Sequence, residues 1–223
     1  MVFQQNHLLS GVRYLLFDIQ TMSAASRPTS EPDFTSRALS WRRIFDNGSL
    51  EFATVSSTRE GFTLAGTIVA VHEGDPLEVK YRIDCHPDWR TRSVSVEQRQ
   101  GFQSSMLSLS VNEDAQWTAQ HSGLIDLLTG CLEVDLELTP ITNTLPINRL
   151  RLAIGQRCEI AVAWIRFPSL AIIRAHQSYE RLSINTYRYC SLQSGFTADI
   201  EVDKEGLPIS YAGIWERAGE AVR

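Results

Sequence analysis

The sequence predicts a mostly β chain with no confident long helix, built as one antiparallel sheet running almost its whole length. Three observations carry this. From Leu39 onward apolar and polar residues alternate with period two, as in Val79, Tyr81, Ile83 and Cys85 against Lys80, Arg82 and Asp84. Turn signals recur about every 8–12 residues, the spacing of a sandwich, barrel or curved sheet. The composition is that of a globular domain, 43% hydrophobic and 21% charged.

The elements follow in order. Trp41–Phe45 and Leu50–Ser56 flank Asp46-Asn47-Gly48-Ser49, and Asn-Gly marks a tight hairpin. Asn47-Gly48-Ser49 is also a glycosylation sequon, but with no export signal the turn reading prevails. Phe62–His72 and Leu77–Cys85 are joined by Glu73-Gly74-Asp75-Pro76. Arg92–Gln98 and Ser104–Val111 continue the meander, and Asn112-Glu113-Asp114 turns into Gln116-Trp117-Thr118. Ser122–Leu128 is the best candidate for a short helix. Glu133–Leu138 alternates as a strand, its acids Glu133, Asp135 and Glu137 reading as a solvated face. It then breaks into a polar loop, Thr139 to Pro146, stiffened by two prolines. Leu150–Ile154 is a short helix or strand ending at Gly155. Glu159–Phe167 is nearly all apolar and should be covered on both faces. Pro168 interrupts it, Leu170–Gln177 resumes, and Thr186–Ser191, Thr197–Val202 and Ile209–Tyr211 complete roughly ten strands.

Residues 1–36 are expected to form a poorly ordered extension ahead of a single β-rich domain over 37–223. Leu8–Phe17 is apolar but carries Arg13, follows no Lys or Arg, and is too short to span a membrane. Ser23–Ser36 is rich in Ser, Thr and Pro, and Met22 offers an alternative start. Cys85, Cys131, Cys158 and Cys190 lie far apart without C-x-x-C spacing, which reads as free thiols in a reducing, cytoplasmic setting. A net charge of −5 argues against nucleic acid as partner.

Common catalytic signatures are absent: G-x-S-x-G, the phosphate-cradling glycine loops and H-E-x-x-H. No catalytic residue, metal or cofactor is therefore assigned. Three constellations remain. Arg90 and Arg92 share a strand face and could grip a phosphate or carboxylate, or bridge to neighbouring acids. Thr142, Asn143 and Arg149, with Asp135 one strand-length away, offer the donors and acceptors that read sugar hydroxyls, or cap their own loop. Trp164, Tyr179, Tyr187, Tyr189, Tyr211 and Trp215 crowd the last third and line a cavity or simply the core.

These residues also carry a resemblance. Gly130-Cys131-Leu132-Glu133-Val134-Asp135-Leu136 and Thr139-Pro140-Ile141-Thr142-Asn143-Thr144-Leu145-Pro146-Ile147 resemble the bacterial Putative glycolipid-binding family, long described only as a domain of unknown function. Tyr81-Arg82-Ile83-Asp84, Asp88-Trp89-Arg90-Thr91-Arg92, Gln177-Ser178-Tyr179-Glu180-Arg181 and Tyr187-Arg188-Tyr189 support it, from about Trp41 to Ala218. Glu133 stands where the family tends to have Asp. Asn148 stands where a second Arg is expected, which removes a positive charge from the loop.

The resemblance implies a curved antiparallel half-barrel, or open β-roll, like that of bacterial lipoprotein carriers. Its concave face would hold an amphipathic ligand such as a glycolipid. The apolar part would lie against inward side chains, and the headgroup against Thr142, Asn143 and Arg149 with Arg90 and Arg92 nearby. Asp135, Trp164, Tyr179 and Tyr189 complete the expected ligand-binding set. The alternatives are a hydrolase or transferase on a sugar or lipid ester with Asp135 as acid/base, and a scaffold whose concavity is filled by its own tail or by a homodimer partner.

Overall fold

A computed structural model of the chain describes residues 36–45 and 48–223. The expected extension lies outside them except for Ser36, which already opens the first strand, and so does the Asp46-Asn47 pair of the first hairpin turn. The described chain forms a meander of β1 (Ser36–Arg43), β2 (Ser49–Thr58), β3 (Gly61–His72), β4 (Asp75–Cys85), β5 (Thr91–Gln100), β6 (Gln103–Val111), β7 (Trp117–Ala119) and β8 (Gly123–Leu124). After β9 (Glu133–Leu136) and helix α1 (Thr144–Leu150) a second meander follows: β10 (Arg157–Ile165), β11 (Ile172–Arg181), β12 (Thr186–Ser191), β13 (Thr197–Val202), β14 (Pro208–Tyr211) and β15 (Trp215–Val222).

All fifteen strands belong to one sheet, because β1 pairs with both β2 and β15 and so joins the two meanders at the middle. β8 and β9 end the sheet, which is open. Register shifts at Ser40/Trp41, Asp84/Cys85 and Glu201/Val202 are the bulges that let so long a sheet bend. The bend brings the chain just before β9 back to β5, where the Thr91 amide donates to the Leu132 carbonyl at 2.9 Å. Arg174 of β11 reaches the Thr129 carbonyl at 2.6 Å across the same gap. The inward face carries one continuous core that includes Trp41, Leu64, Ile68, Ile83 and Ile165.

The mostly β class and the curved single sheet are as expected, but the sheet is mixed. β9 pairs with β10 in parallel. A parallel neighbour needs a crossover, and the segment read as a polar loop supplies it. Ile141–Asn143 forms a 3-10 turn and Thr144–Leu150 the helix. Pro146 is tolerated because it sits in the first turn, where its missing N–H costs no helical bond. Thr142, Asn143 and Thr144 are buried there, beside Ile141, Leu145 and Ile147.

The acids of β9 are likewise no solvated face. Glu133 is buried against Arg149 and Asp135 is bonded by Thr142, because the crossover packs over that side of the strand. Of the expected helix at Ser122–Leu128 only a 3-10 turn forms, Asp126–Leu128, behind β8. Residues 152–156 form neither helix nor strand. β15 was not anticipated; its outward and terminal residues, Ala218 to Val222, lack the alternation that marks a half-buried strand.

One glycine is required by the sheet itself. Gly61 opens β3 at φ +133°, and a Cβ there would lie 1.9 Å from the Cys85 carbonyl oxygen. Gly61→Ala is expected to cost about 2 kcal/mol or more, read as a lower denaturation midpoint at unchanged m-value.

Candidate functional site

β1, β3, β5, β10, β12 and β14 all run toward the same end of the sheet, called here the upper end. Alternating strand direction places the turns after Arg43, His72, Gln100, Ser191 and Tyr211 side by side there. Just inside this end lies a half-open cavity of about 170 Å³.

One wall is aromatic. Tyr189 meets Tyr211 edge-on at 5.9 Å and Tyr179 at 5.6 Å, and Phe196 leans on both Tyr189 and Tyr211. Trp164 and Trp215 continue the lining, with the Arg166 guanidinium 5.0 Å from the Trp164 ring and Arg43 5.8 Å from that of Trp215. The pairing explains the gathering: Tyr211 is the cross-strand partner of Trp215, and Trp215 of Arg43.

The opposite wall is polar and comes from the end of β9 and the residues after it: Asp135, Glu137, Thr139 and Asn143. Asp135 is the register partner of Trp164, so carboxylate and indole share a face. Its Oδ1 accepts from Thr142 Oγ1 at 2.9 Å and its Oδ2 from Gln177 Nε2 at 2.6 Å. Burial raises the Asp135 pKa, partly offset by those two hydrogen bonds, and the Glu137 charge raises it further. Glu137 accepts from the Phe167 amide at 2.9 Å. Asn143 accepts from the Tyr179 hydroxyl at 2.8 Å and donates to the Pro140 carbonyl at 2.9 Å. Burial also raises the Tyr189 and Tyr211 hydroxyls, so both remain donors at neutral pH.

Behind Thr139 lies a buried acid. Thr139 donates to Glu51 Oε1 at 2.8 Å, and the Tyr81 hydroxyl donates to the same oxygen. Glu51 Oε2 has no partner.

Of the expected ligand-binding set, Asp135, Asn143, Trp164 and Tyr189 line this cavity. Thr142 and Tyr179 stand one contact behind, holding Asp135 and Asn143. Arg90 and Arg92 lie at the start of β5, at the opposite end of the sheet, where Arg90 bonds Asp88 at 2.7 Å and Arg92 is exposed. Arg149 is also removed from the cavity, paired with buried Glu133 at the end of α1. The cavity residues outside the expected set are Arg43, Leu136, Glu137, Thr139, Phe196, Tyr211, Ile214 and Trp215. Tyr211 and Trp215 belong to the aromatic cluster visible in the sequence. Arg43 has no such signal, because it meets Trp215 only through the pairing of the first and last strands.

Among the described residues no helix is long and apolar enough to cross a membrane, and no group of three or more acids, histidines or cysteines could hold a metal ion. No functionally curated protein matches the chain. A family model described as Putative glycolipid-binding matches residues 38–217. The crystal structure of a DUF1089 family protein from Pseudomonas aeruginosa is similar over 76% of this chain and 92% of that one, at 31% identity and a TM-score of 0.71. A beta-barrel-like protein of domain of unknown function DUF1849 from Brucella abortus shares the fold. It is 8% identical, with a TM-score of 0.51 over 87% of this chain and 100% of that one. Since the matched residues run from β1 into β15 and take in both walls of the cavity, the chain belongs to the Putative glycolipid-binding family.

Proposed function

We propose that the protein binds an amphipathic ligand of glycolipid type, and that the upper cavity takes its hydroxylated headgroup. The observation that carries this reading is the pairing of aromatic faces with fixed acceptors and donors in one half-open cavity. Trp164, Tyr189 and Tyr211 offer faces for the C–H side of a sugar ring, while Asp135, Glu137 and Arg43 offer partners for its hydroxyls. At about 170 Å³ the cavity is smaller than the 300–1,000 Å³ of drug-sized pockets, so it suits a headgroup and not an acyl chain. The inner face beyond it is filled by the crossover and core, which leaves the apolar portion of the ligand at the mouth, beside Phe196 and Ile214. Thr142, Gln177 and Tyr179 act as positioning residues. The four free thiols support a reducing, cytoplasmic location.

Titration with a short-chain alkyl glucoside, followed by tryptophan fluorescence, tests the reading. A saturable change is expected with the glucoside and not with the matching alkanol. Trp164→Ala should weaken binding by about tenfold, the loss expected of one well-packed ring. Equal responses to glucoside and alkanol would sink the headgroup assignment.

The raised pKa of Asp135 inside the cavity supports a second reading, a hydrolase or transferase with Asp135 as acid/base. Both its oxygens already accept hydrogen bonds from side chains that lack a titratable proton, which favours a fixed acceptor. Turnover of an aryl glycoside or lipid ester that disappears in Asp135→Asn would reverse that preference.

A further inference from the structure

The upper end of the sheet is crowned by exposed apolar side chains at turn tips. Phe45 follows β1 at 52% exposure, and Phe102, on the β5–β6 turn, is fully exposed. Val71 near the end of β3 and Phe196 before β13 are 48% and 43% exposed. On the outer face below Phe45, Leu50 and Val69 are direct cross-strand partners and both point to solvent. An isolated exposed apolar residue needs no explanation. Several on neighbouring tips around one cavity mouth mark an interaction surface.

We infer that this rim docks the protein onto a zwitterionic lipid surface, with Phe45, Val71, Phe102 and Phe196 inserted at the interface around the cavity mouth.

Two observations choose that partner. First, the rim is continuous with the cavity: Phe196 belongs to both, and the Arg43 guanidinium lies 5.8 Å from the Phe45 ring and 5.8 Å from Trp215 on the cavity wall. An amphipathic molecule leaving a lipid leaflet at this rim would reach the polar wall headgroup first. Second, three cations of the rim lie beside acids. Arg42 pairs with Glu216, Arg99 with Glu78 at 3.3 Å, and Arg166 with Glu137 at 3.4 Å. With the whole chain at −5, attraction to anionic lipid is not the drive. Burial of the apolar tips is.

The experiment is sedimentation of the full chain with sucrose-loaded phosphatidylcholine vesicles. The unaltered protein should partition onto them and stay bound in high salt. Phe45→Ser with Phe102→Ser should lower partitioning by about tenfold or more, since these two rings supply most of the inserted aromatic surface. Both rings are exposed, so the double variant should keep its thermal midpoint. Ile184→Ser, at an exposed tip on the opposite end, should partition like the unaltered protein. The apolar run Leu8–Phe17 is present in every variant, so any contribution from it cancels in the comparison.

Failure of the unaltered protein to partition would overturn the inference, as would an equal loss with Ile184→Ser. Concentration-dependent self-association that the double variant abolishes would assign the rim to a second copy instead. Docking requires no ligand in the cavity, so vesicle binding and glucoside binding can fail separately.

Discussion

Arg37→Ala is expected to lower stability by about 3 kcal/mol or more, the cost of removing one partner from a buried ion network. Arg37 is 4% exposed on β1, and its Nη1 lies 2.9 Å from both Asp203 and Glu205, with Nη2 2.5 Å from Glu220. One guanidinium thus ties the middle of the sheet to the β13–β14 turn and to β15. Without it, Asp203 and Glu205 keep their burial and lose their principal cation. Arg217 still reaches Asp203 at 2.9 Å and Glu220 at 2.8 Å, which is why the low end of the range applies. Arg37→Lys should recover only part of the loss, because an ammonium cannot address three carboxylates in the fork geometry of a guanidinium. Urea denaturation measures both variants. A midpoint for Arg37→Ala equal to that of the parent would mean that the network contributes nothing to folding.

The second large effect depends on pH. Burial, partly offset by the Tyr81 and Thr139 hydroxyls, pushes Glu51 up from 4.5 to about 7. The folded state therefore holds a proton that the unfolded state has released between these two values. The unfolded chain binds fewer protons in that window, so the stability contributed by this group falls as pH rises from about 4.5 to about 7, and is level above and below. The rise from 4.5 to about 7 corresponds to about 3 kcal/mol. Other acids also change with folding: Asp84 is lowered, while Glu133 and Asp135 are raised. The readout is accordingly the difference between the parent profile and that of Glu51→Gln, which should show the step. Absolute stability is a poor guide, because the glutamine amide would bring two donors to the position where Oε2 has no partner. Parallel profiles across pH 4–8 would place the Glu51 carboxyl near its ordinary value.

Glu51 also shows why the site was only partly legible in the sequence. It sits mid-strand among Ser49, Ala53 and Val55, all facing inward, and nothing local distinguishes it from a solvated glutamate. Its burial follows from Thr139, which is 88 residues away and arrives only with the crossover. The segment from Thr139 to Pro146 was conspicuous for a sound reason, a density of hydrogen-bonding side chains. Those side chains serve mainly inward: Thr142 holds Asp135, Asn143 holds Tyr179, and Thr139 holds Glu51. Their polarity satisfies a helix and its neighbours inside the roll, and only Thr139 and Asn143 also reach the cavity.

Arg90, Arg92 and Arg149 mark a related boundary. Charge and strand alternation identify them as available cations, yet which end of a sheet a residue occupies depends on strand direction throughout the whole order.

Local sequence therefore determined the strands whose two faces differ, since period-two alternation reports directly on half-burial. Fourteen of the fifteen strands lie in two antiparallel meanders, many of whose hairpin turns are written in Gly, Asn, Asp and Pro. Only the tertiary structure decided the parallel placement of β9, the helix read as a loop, and the β1–β15 pairing that brings Arg43 to Trp215. Each of these depends on burial supplied by residues distant in the chain. A side chain's own neighbours record its preference for a face, and long-range pairing decides what that face meets.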